Sequence, residues 1–377
     1  GMTALMFTGR SDAKIARLLI ESGANIEAVN EDGMSTLMSA ARYGHGDIVR
    51  LLTEFGANTE VVDEDGMNAL MFAARYDHIY ITRQLIESGA NIDAAAKYGM
   101  TALMLAARYG HAGIARFLIK SGANIEAVDE YGVNALMFAA RYDHIYIAEL
   151  LIESEADIDL DAMDKYGRTA LMMAYRDNHM DIAKLLSGSG ANINLTGKGG
   201  QTALMFATGS GNEEATRALL QAGANVDMAN EHGWTALMVA VVNHHKGATK
   251  MLVEAGANVN AVDIRGQNAL MLVAQDLDFS KIGFDSERAV RLFPVLATSL
   301  IEYGVNVNAV DKDGMTVLMK LVEHSPRLWW ARPPEIIIMI RVLLRLGADI
   351  EIVDTRGKRA RDWYAGHNTE IRQLLGA

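Results

Sequence analysis

An arginine followed directly by a tyrosine recurs every 33 residues in the first part of the chain: Arg42-Tyr43, Arg75-Tyr76, Arg108-Tyr109 and Arg141-Tyr142. The chemistry these types offer is recognition. A guanidinium presents a rigid fork of donors that matches a carboxylate, and a phenol ring gives a flat apolar face with a polar tip. Arginine and tyrosine are both enriched among the residues that dominate interface binding energy. Packed helices lie about 8–10 Å apart, so one pair per stacked unit makes a ladder with rungs at about that interval. An extended peptide advances about 10 Å in three residues, so every third residue of a bound strand meets a rung. Duplication of one unit without divergence leaves the same pattern, with the arginines paired instead to Asp77, Asp143 or a neighbouring turn acid.

A second set flanks a repeated glycine. Met34, Met67 and Met100 follow it, Tyr98, Tyr131 and Tyr166 precede it, and Trp234 and Met315 take the following position in later copies. Flexible thioethers and aromatic rings at exposed tips make adaptable contacts. The competing expectation is that each methionine covers the turn beside it. Histidines recur too, at His45, His78, His111, His144, His179 and His245. A metal needs ligand nitrogens about 2 Å from one ion, and side chains a whole repeat apart do not converge on one point. These histidines are therefore read as structural groups at the entry to a helix, and His244-His245 as a pair without a third ligand. No phosphate-binding glycine loop, nucleophile elbow or paired-carboxylate arrangement stands out. The expectation is no catalytic residue, no metal and no cofactor.

Positioning these groups falls to a unit of 33 residues. Asn68–Ile81 returns letter for letter as Asn134–Ile147, and glycines open successive copies at Gly33, Gly66, Gly99, Gly132, Gly167, Gly200, Gly233, Gly266, Gly314 and Gly357. With a first copy entering at Thr3, about eleven helix-turn-helix units result. A fixed period of this size marks a solenoid. Within one copy Thr101 carries the hydroxyl of a helix N-cap, and Ala102, Leu103, Leu105, Ala106 and Ala107 form a short helix ended by Gly110-His111. Ile114, Phe117, Leu118 and Ile119 are the apolar stripe of a second helix. Gly122 sits where a helix C-terminus takes the left-handed conformation. Neither helix buries its stripe alone, so neighbouring copies supply the core. Met6, Met38, Met71, Met104, Met137, Met172, Met205, Met238, Met271 and Met319, all at the helix start, are predicted to belong to it.

Thr101-Ala102-Leu103-Met104-x-Ala106, followed by Gly110-His111 and Gly122-Ala123-Asn124, resembles an ankyrin repeat, a family of period 33 with the signature Thr-Pro-Leu-His-x-Ala. Alanine replaces the proline and methionine the histidine in almost every copy, and both are good helix formers. The resemblance implies an all-α ankyrin-repeat solenoid with short β-like turns on one edge. It further implies that the positions after the first helix and the turn tips line a concave binding face. The expected function is a non-enzymatic protein-interaction scaffold, holding a protein or peptide along the groove of repeats 2–5. The alternative is a regulatory or targeting region of a longer protein whose enzyme domain lies elsewhere.

Composition sets the remaining bounds. The 377 residues are half apolar, contain no cysteine and carry a net charge of −12. That excludes disulfides and thiolate metal sites, fits a reducing, cytoplasmic setting, and speaks against a general nucleic-acid binder. Residues 327–377 carry +3 and the remainder −15, much of it in connections such as Asp63-Glu64-Asp65. No apolar run reaches the roughly 20 residues of a membrane span, and the N-terminus lacks the pattern of a signal peptide. Gly1-Met2 is read as a cloning scar plus initiator, or as the start of a piece of a longer array. A monomeric, single continuous array is expected: an end repeat (1–32), regular repeats (33–265), two repeats with insertions (266–356) and a capping repeat (357–377). The insertions, at about 276–294 and 325–334, separate the two helices of their repeats. Pro294 should kink or end the helix before it, and Pro334 should open the next. Trp329 and Trp330 should pack on Phe279, Phe284 and Phe293, or else form a second docking site. Glu155 replaces the usual glycine and predicts a poorer cap.

Overall fold

A computed structural model of the chain describes residues 3–8, 13–154, 158–276, 286–324 and 333–376. The expectations placed on Glu155, on Phe279, Phe284, Trp329 and Trp330, and on most of both insertions, lie outside those residues. Contacts gather into two compact units, Gly1–Asn192 and Ile193–Ala377. Among the described residues no strand forms. The expected β-like turns survive as isolated bridges, Val29 to Ser35, Thr196 to Thr202 and Ala229 to Thr235.

The first unit opens with α1 (Ala4–Thr8) and α2 (Ala13–Glu21). Its first helices are then α3 (Thr36–Tyr43), α5 (Ala69–Arg75), α7 (Ala102–Tyr109), α9 (Ala135–Arg141) and α11 (Ala170–Arg176). Its second helices are α4 (Gly46–Glu54), α6 (Ile79–Glu87), α8 (Ala112–Lys120), α10 (Ile145–Ile152) and α12 (Met180–Gly188). First helices pack on first helices and second on second. The caps follow from sequence. Ser35, Asn68, Thr101, Asn134 and Thr169 each accept the backbone N–H of the methionine three residues on, which satisfies an amide the helix leaves orphaned. Those methionines are buried, as are the leucine before them and the two alanines after the next residue in repeats 3, 4 and 5.

Neighbouring repeats are also joined by polar lines. Glu27 accepts the backbone N–H of Asn58, Glu60 that of Asn91, and Asp93 that of Asn124, at 2.8–2.9 Å. Two additional residues precede the next turn, yet the line persists from Glu126 to the N–H of Asp159. At the tips the backbones nearly touch. Gly66 has φ +74°, and a Cβ there would lie 2.7 Å from the amide nitrogen of Lys97, so both its conformation and its lack of a side chain are required.

The second unit repeats the plan with first helices α13 (Ala203–Gly209), α15 (Ala236–Val242), α17 (Ala269–Asp276), α19 (Val317–His324) and α21 (Ala360–Trp363). Behind them lie α14 (Glu213–Gln221), α16 (Lys246–Glu254), α18 (Ser286–Glu302), α20 (Pro333–Arg345) and α22 (Thr369–Leu374). Of the first predicted insertion, residues 286–294 belong to α18; residues 277–285 and 325–332 lie outside the described residues. Pro294 does not end its helix: α18 runs through it to Glu302, and Thr298 donates to the Pro294 carbonyl at 2.8 Å. Phe293 beside it is fully buried. The last repeat closes on Ile371 and Leu375, both buried, while Arg372 and Gln373 face solvent.

Candidate functional site

The four Arg-Tyr pairs form one column across α3, α5, α7 and α9. The guanidinium carbon of Arg42 lies 5.8 Å from the ring centre of Tyr43 and 5.7 Å from that of Tyr76. Arg75 lies 5.6 Å from Tyr76 and 5.4 Å from Tyr109. Arg108 is 5.8 Å from both Tyr109 and Tyr142, and Arg141 is 5.6 Å from Tyr142. Each arginine up to Arg108 thus sits between its own tyrosine and that of the next repeat. Cation–π contacts of this kind contribute about 0.5–1 kcal/mol each at exposed sites. Among the described residues none of the four forms an ion pair. Pairing with Asp77 is not what the structure has, since that carboxylate lies 3.7 Å from His111 Nδ1.

The column stops at repeat 6. There Arg176 is bound through two nitrogens to Asp177, at 2.8 Å each. Burial alone would raise the pKa of Asp177. The hydrogen bonds and charge of Arg176, with the positive charges of His179 and Arg141, outweigh it and hold the carboxyl below its usual value.

The recurrent histidines fix the backbone under the ladder. Ring nitrogens of His78, His111 and His144 donate to the carbonyls of Arg42, Arg75 and Arg108 at 3.2, 3.0 and 3.3 Å. Each repeat therefore clamps the arginine of the one before. Room for the ring comes from a glycine in alternate repeats: a Cβ on Gly44 would approach His78 to 2.7 Å. In the other repeats Asp77 and Asp143 take the left-handed conformation, with φ 62° and 61°, which short polar side chains tolerate. Sequence reasoning had these histidines as structural but missed both the alternation and the arginine carbonyl as their target.

Among the tip residues the methionines and tyrosines part company. Met67 is 7% exposed and covers its turn, Met315 is likewise buried, and Met34, Met100 and Trp234 are half-covered. Tyr98, Tyr131 and Tyr166 are about half exposed. The Glu130 carboxylate beside the Tyr131 hydroxyl raises the pKa of the phenol. Most tips are shaped by an aspartate or asparagine: Asp63 accepts the N–H groups of Asp65 and Met67 at 3.0 and 2.8 Å, an Asx turn. Repeat 4 has Ala96 at that position. Its tip becomes a short 3-10 turn, Lys97–Gly99, with Tyr98 at φ 67° and ψ 14°, a conformation that costs a non-glycine residue about 1–2 kcal/mol. Between these tips and the ladder lies a cleft of about 500 Å³. Met100, Val133 and Phe138 line it with Tyr98, Tyr131, Tyr142 and Tyr166, and Arg108, Arg141 and Arg168 border it. Arg168 is tied to the turn carboxylate of Asp164 at 2.7 Å.

The second unit has no such column. At the positions of the ladder arginines stand Gly209, Val242, Gln275 and Glu323. Its cleft of about 560 Å³ contains instead a lysine that sequence reasoning missed. Lys320 occupies the place of Phe72, Leu105 and Phe138, is 3% exposed, and pairs with Asp311 at 2.5 Å. Asp311 at the same time accepts the N–H groups of Asp313 and Met315. The signal was a charge at a position otherwise apolar. Among the described residues no cluster of three acidic or histidine side chains could hold a metal, and no helix is long and apolar enough to cross a membrane.

A family model described as ankyrin repeats (three copies) matches the chain over residues 1–63, 51–129, 121–197 and 189–263. A search of curated proteins gave no match.

Proposed function

Because the chain belongs to the ankyrin-repeat family, whose units are in general protein–protein interaction modules and typically non-enzymatic, we propose that it is a scaffold binding an acidic, extended segment of a partner protein along the first-helix face of repeats 2–5. The observation that carries this reading is the column of four guanidinium groups over tyrosine rings, none of which forms an ion pair among the described residues. A cation–π contact takes no hydrogen bond from the guanidinium, so its N–H donors are left for an incoming carboxylate. A segment with an acid at every third residue meets successive rungs. A nucleic-acid backbone suits the site less well, because it carries a charge at every nucleotide and meets the overall charge of −12 more strongly than a segment whose acids are spaced to the rungs. A reducing, cytoplasmic setting suits a chain without cysteine, and we read it as acting as a monomer. The test is the joint replacement Arg42→Ala, Arg75→Ala, Arg108→Ala and Arg141→Ala, with partner capture and thermal melting measured together. Binding should weaken by about 1 kcal/mol or more per position with little change in melting temperature. Unchanged binding with a lowered melting temperature would make the column purely structural.

A further inference from the structure

A uniform ladder leaves the register of its partner undefined. Four rungs of one type accept a strand with evenly spaced acids, and sliding that strand by one rung loses a single contact. The row of turn tips is not uniform: repeats 2 and 3 present Asp32 and Asp65, and the next three repeats present Tyr98, Tyr131 and Tyr166. The cleft these tyrosines bound has Met100, Val133 and Phe138 at its base, with Asp129 beside them, and lies against Arg108 and Arg141. At about 500 Å³ it is roomier than one aromatic side chain, so backbone on either side of such a residue fits as well.

Tyr98 supplies an independent observation. Its turn, Lys97–Gly99 after Ala96, has a counterpart in the second unit, Lys198–Gly200 after Gly197. The two residues at the left-handed position are Tyr98, φ 67°, and Gly199, φ 75°. Glycine adopts that conformation freely, and tyrosine does not. The turn therefore needs no side chain there, and an unfavourable backbone held at an exposed aromatic points to a role for the ring.

We propose that the cleft between Tyr98, Tyr131 and Tyr166 is an anchor site. It takes one large apolar side chain, aromatic by preference, from an acidic extended peptide, and so sets the register in which the peptide's carboxylates meet Arg108 and Arg141. This rests on the reading of the ladder as a peptide site. Arg108 and Arg141 select acids beside the anchor, and the tyrosine rings with Met100 select the anchor itself.

The test uses the full chain and two fluorescein-labelled synthetic peptides with glutamate at every third position, differing only in tryptophan or alanine at one central place. Fluorescence anisotropy should give the tryptophan peptide an affinity about tenfold higher, as burial of one large apolar side chain supplies. In Tyr98→Gly that advantage should fall within about twofold while the alanine peptide binds as before. The melting temperature of this variant should hold or rise, because its turn becomes that of Gly199. Equal affinity of the two peptides for the native chain, or an advantage retained in Tyr98→Gly, overturns the anchor and leaves the ladder standing. Arg108→Ala with Arg141→Ala reports on the ladder separately: both peptides should weaken, and if neither does, or neither binds at all, both proposals fall. Displacement of both peptides by a single-stranded oligonucleotide at a lower concentration than unlabelled peptide would assign the cleft to nucleobases and overturn the proposal.

Discussion

The first helices of the two units end on the same kind of backbone and on different chemistry. In the first unit those ends carry Arg42, Arg75, Arg108 and Arg141, and the tips carry Asp32, Asp65 and three tyrosines. In the second the ends carry Gly209, Val242, Gln275 and Glu323, and the tips carry Gly199, His232, Arg265, Asp313 and Arg356. Beneath both surfaces the same caps, buried methionines and turn carboxylates recur. Stacking uses the inner residues alone, so the outer ones are free to reverse sign without any change of fold.

The comparison breaks most visibly at the ladder. Its fourfold alanine replacement should remove about 4 kcal/mol or more of binding energy, taking about 1 kcal/mol or more per rung. Gln275→Ala with Glu323→Ala, at the matching places, should leave binding of the same partner unchanged. Equal losses from both sets would show that the two faces are not chemically distinct to the partner.

Turn aspartates offer the next contrast. Asp63→Ala loses two turn hydrogen bonds and should cost about 1 kcal/mol. Asp311→Ala loses the same two bonds and removes the carboxylate paired with the buried Lys320, so about 3–5 kcal/mol is expected from urea titrations. Asp311→Asn with Lys320→Met keeps the turn, removes both charges and should return most of that loss. Similar costs at Asp63 and Asp311 would mean that the buried pair adds nothing.

Deleting one complete unit, Gly99–Tyr131, joins Tyr98 to Gly132 and removes one rung. Helical circular dichroism per residue should persist, since each repeat contacts its neighbours, and affinity should drop by about 1 kcal/mol. Collapse of the helical signal would show that the first unit is not modular.

The smallest effect is expected where the ladder ends. Asp177 has a folded pKa below that of an unfolded aspartate, about 3.9. Its contribution is therefore complete above that value and is lost as the pH falls through the lower folded value. Asp177→Asn should flatten this part of an acid titration of stability, by about 0.5 kcal/mol or less at a half-buried pair that water still reaches. An acid limb identical in native and variant chains would place that pH dependence elsewhere.

Much of the fold was legible because its signals are local and periodic. The Thr, Asn or Ser before each Ala-Leu-Met or Thr-Leu-Met is a cap by its own chemistry, and the methionine series repeats at the period of the stack, so its burial followed from the spacing. The ladder was legible as a list of residues, Arg42 to Tyr142, and no further. Tertiary structure alone decided that each guanidinium lies between tyrosines of two repeats, that His78, His111 and His144 clamp the arginine carbonyls, and that Met67 turns inward while Tyr98 stays out. Lys320 stood in plain view at an apolar position, but its partner Asp311 could be named only once the turn was folded back on the helix. Period and propensity determine which elements form and which face they bury. Contacts between one repeat's side chain and the next depend on side-chain rotamers and on single residues with positive φ, and those are settled by packing.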